Sequence, residues 1–165
     1  MLLGNLLKNI NKNYKKILVK GISFDSRKVN KKDIFFAIDG TKNLGTKFIN
    51  EAILKGASVI ISSKKVKLNN YKIPIIIAKN IRKSLTEASS NFYNKKPANL
   101  IAVTGTNGKT SVADFFYQIL SLHKISVASI GTLGIFSKKD NKKTNLTSID
   151  PVSLHKNLKI LKKNK

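Results

Sequence analysis

A short apolar run, Leu100-Ile101-Ala102-Val103-Thr104, passes directly into Gly105-Thr106-Asn107-Gly108-Lys109-Thr110-Ser111, and an amphipathic segment follows at once. No other feature constrains the chain as tightly. The apolar run predicts a central strand. Val112, Ala113, Phe115, Phe116, Ile119 and Leu120 recur at helical spacing and predict one face of a helix. Ile125 to Ile130 predicts the next strand. Strand, helix and strand of these lengths make a βαβ unit, hence a parallel sheet covered by helices.

A glycine-rich turn between a strand and a helix is an anion site. The first N–H groups of the helix have no intrahelical partner, and the helix dipole adds partial positive charge there. Gly105 and Gly108 let the backbone wrap closely around phosphate oxygens. Lys109 places an ammonium for the β- and γ-phosphates, Thr110 offers a hydroxyl to Mg²⁺, and Thr106, Asn107 and Ser111 complete the loop. ATP is the expected nucleotide. The general pattern G-x-x-x-x-G-K-[ST] requires glycine at position 103, where this chain has valine, so the loop is a shortened variant. The competing reading is a solvated glycine turn with a surface lysine; the flanking strand and helix weigh against it.

Upstream, Ile34-Phe35-Phe36-Ala37-Ile38 predicts a buried strand, and Phe48, Ile49, Ala52 and Ile53 predict a helix closed by Gly56. Ala57 to Ile61 and Ile73 to Ile77 predict strands, with Pro74 at a strand start or edge, and a helix is expected from about Ile81 to Tyr93. The polar stretch Asn94-Lys95-Lys96-Pro97 marks a boundary, because proline disfavours helix in the residue before it. The expected organisation is therefore α/β: a small mixed domain over residues 1–94, then the start of a P-loop-type parallel-sheet domain over residues 95–165. Asp150-Pro151 predicts the N-cap and first position of a last helix, with Val152, Leu154, Leu158 and Leu161 as its apolar stripe. A doubly wound sheet normally has more strands than this, so the second domain reads as incomplete.

The chain has 165 residues, no cysteine and a formal charge of +24. The lack of cysteine excludes disulfides and thiolate metal sites and is compatible with the cytoplasm. No apolar run reaches the roughly 18–20 residues that span a membrane, and the start Met1-Leu2-Leu3-Gly4 lacks a signal peptide's basic region. The charge invites a nucleic-acid reading. Yet Arg27 and Arg82 are the only arginines, the lysines are dispersed, and lysine, asparagine and isoleucine are abundant together. Compositional drift is the expected cause, with a functional basic surface that binds nucleic acid as the alternative, and no specific nucleic-acid partner is expected. His123 and His155 are isolated, without metal-ligand spacing.

Val103-Thr104-Gly105-Thr106-Asn107-Gly108-Lys109-Thr110-Ser111 resembles the ATP loop of the Mur ligases of peptidoglycan synthesis. Folylpolyglutamate synthases carry a similar loop. However, Asp25-Ser26-Arg27 and Lys32-Asp33-Ile34-Phe35-Phe36-Ala37-Ile38-Asp39-Gly40 resemble a uridine-binding domain that those synthases lack. Two Mur branches share that domain. Ala128 to Gly134 and Leu146-Thr147-Ser148-Ile149-Asp150-Pro151 favour the branch that adds the third amino acid over the branch that adds D-Ala-D-Ala. The resemblance runs from about Gly21 to the end.

It implies ATP-dependent amide formation through an acyl phosphate, with ATP and Mg²⁺ as cofactors. The implied partners are UDP-N-acetylmuramoyl-L-alanyl-D-glutamate and a diamino acid, either diaminopimelate or lysine. The full-length enzyme would be a cytoplasmic monomer. The resemblance assigns Phe24 and Ser26 to the uridine end of the nucleotide sugar, Thr41, Lys42 and Asn43 to a loop of the same site, and Thr147 and Ser148 to holding substrate near the phosphates. Read without it, Ser26 is equally a turn or cap residue, Phe24 a core residue, and Thr147 and Ser148 a loop before a helix. Where the family often has Asp-Gly-His the chain has Leu44-Gly45-Thr46, and Thr-Thr-Pro becomes Thr147-Ser148-Ile149. The family's later central residues and its amino-acid-binding domain are missing, so the 165 residues alone are not expected to ligate. A non-catalytic nucleotide or UDP-sugar binding module is the alternative.

Overall fold

Asp33 to Ala37 is buried at every position, which identifies it as the central strand of a sheet covered on both faces. The structure, a computed structural model, describes residues 1–41, 43–66, 73–139, 141–142 and 149–163. The chain forms two compact units, Met1–Asn94 and Lys95–Lys165.

In the first unit, helix α1 (Leu3–Leu6) precedes strands β1 (Gly21–Ser23) and β2 (Asp33–Ala37), helix α2 (Ile49–Leu54), strands β3 (Val59–Ser62) and β4 (Ile75–Ile77), and helix α3 (Ile81–Phe92). The four strands pair in the order β1-β2-β3-β4, all parallel, with Ile22 opposite Ile34, Phe35 opposite Ile60 and Ile61 opposite Ile76. Alternation divides the strand side chains between two faces. Phe35, Ala37 and Ile60 pack with Ile49, Ala52 and Ile53 of α2 and with Val29 and Ala57. Ile34, Phe36, Val59 and Ile61 alternate with them and are equally buried. Helix α3 packs against α1 and β1 and buries Ile81, Leu85 and Ala88.

Local chemistry sets the element ends. Gly56, at φ +95°, closes α2: its N–H reaches the Ile53 carbonyl at 2.9 Å, and the Ala57 N–H reaches the Ala52 carbonyl at 3.0 Å. This is the paired bonding of a Schellman cap. Asn80 caps α3, its Oδ1 accepting from the Lys83 N–H at 2.9 Å. Pro74 lies just before β4, where it costs no ladder donor, and its carbonyl accepts from the Ile60 N–H at 3.0 Å.

The second unit differs from expectation at the level of its strands. Helix α4 (Lys109–Leu122) is present, followed by β5 (Ala128–Gly131), β6 (Gly134–Ser137), β7 (Asn141–Lys142) and α5 (Pro151–Lys163). However, Leu100–Thr104 is not a strand, and its pairing with the Ile125–Ile130 region is absent among the described residues. Instead β5 turns back through Thr132 and Leu133 and pairs antiparallel with β6, which pairs antiparallel with β7. A hairpin partner two residues away closes at little entropic cost. A parallel partner must be brought back over a whole helix, and a buried parallel strand needs neighbours on both sides. Leu100, Ile101 and Val103 are accordingly exposed. The apolar face of α4 is open too: Phe115 is 61% exposed, and Val112, Phe116 and Ile119 are also exposed. Helix α5 starts as the sequence predicts, with Asp150 Oδ1 accepting from the Ser153 N–H at 2.9 Å.

Candidate functional site

The loop from Gly105 to Ser111 has a defined local geometry without the strand. Gly108 is the N-cap of α4 and lies in the left-handed region at φ +76°, ψ −7°. Side chains avoid that region, so glycine is the natural residue there. The first intrahelical bond runs from the Val112 N–H to the Gly108 carbonyl at 2.9 Å. The N–H groups of Lys109, Thr110 and Ser111 precede it and are the donors a helix start offers to an anion. Every residue from Gly105 to Ser111 is exposed, so the cradle is open to a ligand. Lys109 folds back over it, its Nζ donating to the carbonyl oxygens of Gly105 and, at 2.9 Å, of Thr106. The loop thus holds a cation at its mouth, on oxygens that are weaker partners than phosphate.

In the first unit the four parallel strands direct their carboxyl ends to one edge, where open α/β sheets bind ligands. Phe24 and Ser26 follow β1 there, Thr41 and Asn43 lie in the loop after β2, and Lys64 follows β3. Lys42, Thr147 and Ser148 lie outside the described residues. Phe24, with 40% of its surface exposed, is an open aromatic at the edge. Ser26 is the opposite: 5% exposed, with its hydroxyl donating to Glu51 Oε2 at 2.5 Å. Glu51 also pairs with Lys55 at 3.0 Å, and Lys55 Nζ donates to the Arg27 carbonyl at 3.1 Å. The Ser26 hydroxyl first, and then Lys55, holds the Glu51 carboxyl below the usual range. Arg27 grips Asp25 through two 2.9 Å bonds; its side chain is the main cause that lowers the Asp25 carboxyl and, reciprocally, raises the Arg27 guanidinium.

The loop after β2 is braced by Asp39. Its Oδ1 accepts from the Gly45 N–H at 2.7 Å, and its Oδ2 pairs with Lys64 at 3.2 Å. The Gly45 N–H leads these causes in lowering the Asp39 carboxyl. Arg82, at the start of α3, donates to the Asp39 carbonyl at 3.4 Å, and the Gly40 N–H reaches the Asn43 carbonyl at 3.0 Å. Thr41 and Asn43 are exposed on this braced loop. Glu51, Lys55 and Lys64 went unnoticed in the sequence, while Asp39 stood there only within a motif and Arg82 only as one of two arginines. Only the four-residue spacing of Glu51 and Lys55 on a helix was a visible signal; the Ser26–Glu51, Lys64–Asp39 and Arg82–Asp39 contacts join residues 25 or more positions apart.

Among the described residues no group of histidines and acids could hold a metal ion, and no helix is long and apolar enough to cross a membrane. Burial, and secondarily Lys96, lowers the His155 imidazole below its usual range, favouring the neutral ring.

Residues 18–98 match the model of the Mur ligase family catalytic domain, and residues 103–165 match the model of the Mur ligase middle domain. The chain belongs to the Mur ligase family. Two similar Mur ligases carry the name UDP-N-acetylmuramoyl-L-alanyl-D-glutamate--2,6-diaminopimelate ligase. The one from Rickettsia prowazekii is 42% identical over 153 residues, covering 90% of this chain and 31% of the relative. The one from Bradyrhizobium diazoefficiens is 41% identical over 140 residues, covering 85% and 28%. A solved structure of a ligase with that name superimposes with a TM-score of 0.81 at 25% identity, over 99% of this chain and 34% of the other. MurF ligase from Thermotoga maritima, in complex with ADP, gives a TM-score of 0.55 at 26% identity over 86% of this chain and 30% of the other. The chain therefore spans about three-tenths of the length of the Mur ligases it resembles.

Proposed function

We propose that this chain supplies the nucleotide-sugar and ATP-phosphate binding parts of a Mur ligase that adds diaminopimelate to UDP-N-acetylmuramoyl-L-alanyl-D-glutamate. The observation that carries this reading is an open phosphate cradle at the start of α4, in a chain at least 41% identical over most of its length to ligases of that name. Those names favour diaminopimelate over lysine as the added residue. The higher TM-score to the diaminopimelate ligase than to MurF favours the same branch over D-Ala-D-Ala addition.

A carboxylate is a poor acyl donor because its leaving group would be oxide. Its oxygen attacks the γ-phosphorus of ATP and ADP leaves, producing an acyl phosphate. The amine of diaminopimelate then attacks the acyl carbon, phosphate leaves, and the amine loses a proton to give the amide. In the first step Lys109 exchanges the Gly105 and Thr106 carbonyls for phosphate oxygens, where its charge offsets that of the transferring group. The N–H groups of Lys109 to Ser111 fix the phosphates in line. Thr110, exposed in the first turn of α4, fits a Mg²⁺ ligand that would further neutralise the phosphates. Phe24, Thr41, Lys42 and Asn43 serve the uridine end, Ser26 serves it as the buried anchor of the turn that carries Phe24, and Thr147 and Ser148 serve the substrate near the phosphates. A cytoplasmic enzyme fits a chain without cysteine.

Calorimetry of the 165-residue chain with UDP-N-acetylmuramoyl-L-alanyl-D-glutamate tests the substrate assignment. Saturable heat, abolished by excess UDP, is expected; no heat, or heat unaffected by UDP, would overturn it.

A further inference from the structure

We propose that Glu51 is a positioning residue for the uridine site, acting through the Ser26 hydroxyl to fix the turn that presents Phe24. The inference rests on the proposed uridine-nucleotide binding at this edge and adds a residue, and a division of labour, that the resemblance does not supply.

The turn after β1 contains two residues with opposite surroundings. Phe24 directs an open aromatic surface away from the core, and an exposed ring is suited to stacking on a base. Two residues later, Ser26 is buried and its single hydroxyl proton is committed to Glu51 at 2.5 Å. Ser26 is therefore tied inward, toward α2. The tie is doubled, since Lys55, one helical turn beyond Glu51, holds both the Glu51 carboxylate and the Arg27 carbonyl. The turn residues Ser26 and Arg27 are thus clamped by two side chains of one helix, which also bond to each other. Within the turn, the Asp25 carboxylate accepts from the Arg27 N–H at 3.1 Å, and the Ser23 hydroxyl donates to the Asp25 carbonyl at 2.8 Å. The backbone on either side of Phe24 is consequently fixed before any ligand arrives.

Preorganisation of this kind raises affinity by removing the ordering cost from binding. Deleting the acceptor leaves a buried hydroxyl without a partner and releases one side of the clamp. Glutamine retains one acceptor oxygen at the same reach for the Ser26 hydroxyl, so it is expected to restore most of the effect, whereas alanine is not.

The test is a calorimetric titration of the 165-residue chain with UDP. Five proteins are compared: wild type, Glu51→Ala, Glu51→Gln, Ser26→Ala, and Glu51→Ala combined with Ser26→Ala. Glu51→Ala is expected to weaken UDP by about tenfold or more, and Glu51→Gln by less than about threefold. In the Ser26→Ala background the Glu51→Ala effect should largely disappear, since the coupling runs through that hydroxyl. Circular dichroism establishes that each variant is folded; if Glu51→Ala is not, the Glu51→Gln and Ser26→Ala titrations decide, with near-wild-type and weakened affinity expected respectively. Equal UDP affinity of folded Glu51→Ala and wild type, or an undiminished Glu51→Ala effect without Ser26, would overturn the proposal. Failure of the wild type to bind UDP would instead overturn the uridine-site reading on which it rests.

Discussion

Gly108 and Gly45 are both needed as glycine, for different reasons. At Gly108 an added Cβ meets nothing within 4 Å, so only the left-handed backbone opposes a side chain. Gly108→Ala should therefore cost about 1–2 kcal/mol of local loop stability, and should weaken Mg-ATP binding while leaving the melting of the first unit unchanged. At Gly45 a Cβ would lie 2.4 Å from the Ala37 carbonyl carbon and 2.6 Å from its oxygen. Backbone must move there. Gly45→Ala should destabilise the first unit by about 1–3 kcal/mol in urea unfolding, and should displace the loop carrying Thr41 and Asn43. The glycines of the phosphate loop were legible because the motif is contiguous. Gly45 was not, because the carbonyl it approaches belongs to a strand residue that only the fold brings near. Ser26 and Phe24 likewise stood side by side in the sequence as contacts, and only burial separates the inward anchor from the outward ring.

Elements that depend on local chemistry were readable, and those that depend on distant partners were not. Gly56 ends α2, and Asp150 with Pro151 starts α5, because a cap is made by neighbours in the chain. Asp150→Ala should lower the stability of α5 by about 1 kcal/mol, detectable as faster amide exchange in its first turn. The central strand Asp33 to Ala37 was readable too, since its continuous apolar run matches burial on both faces. The equally apolar run Leu100–Thr104 carries the same signal, yet it is not a strand. Strand formation requires a ladder, and the sequence pattern reports suitability for burial rather than the presence of a partner. The same reason leaves Phe115 and Ile119 of α4 exposed despite a well-formed amphipathic pattern.

At the scale of the whole molecule, a charge of +24 with only 8 acidic residues makes each carboxylate consequential. Asp25, Asp39 and Glu51 are lowered in the fold by bonds that the unfolded chain lacks. Their stabilisation is complete above the ordinary carboxylate range and is lost as pH falls through their lowered values. Asp33 behaves oppositely. Burial raises its carboxyl, partly offset by the Asn30 N–H, so its anion destabilises the fold at neutral pH and that penalty fades on acidification. Thermal melting against pH should therefore fall below the ordinary carboxylate range, because three lowered groups oppose one raised group. Asp33→Asn should raise the melting temperature near neutral pH and lose that advantage in acid. Arg27 and Arg82 are the only arginines and the lysines are spread along the chain, so charge alone says little of function; the loop at the start of α4 says more.

Gly105 to Ser111 is proposed to bind the phosphates of ATP, with Lys109 as the cation that meets them. The most direct measurement is calorimetric titration of Mg-ATP into the 165-residue chain and into Lys109→Ala, whose exposed side chain donates to the Gly105 and Thr106 carbonyls of its own loop. Saturable binding to the wild type at one site is expected, reduced by about tenfold or more in Lys109→Ala, with UDP affinity unchanged. No binding to the folded wild type, or equal affinity in both proteins, would contradict it.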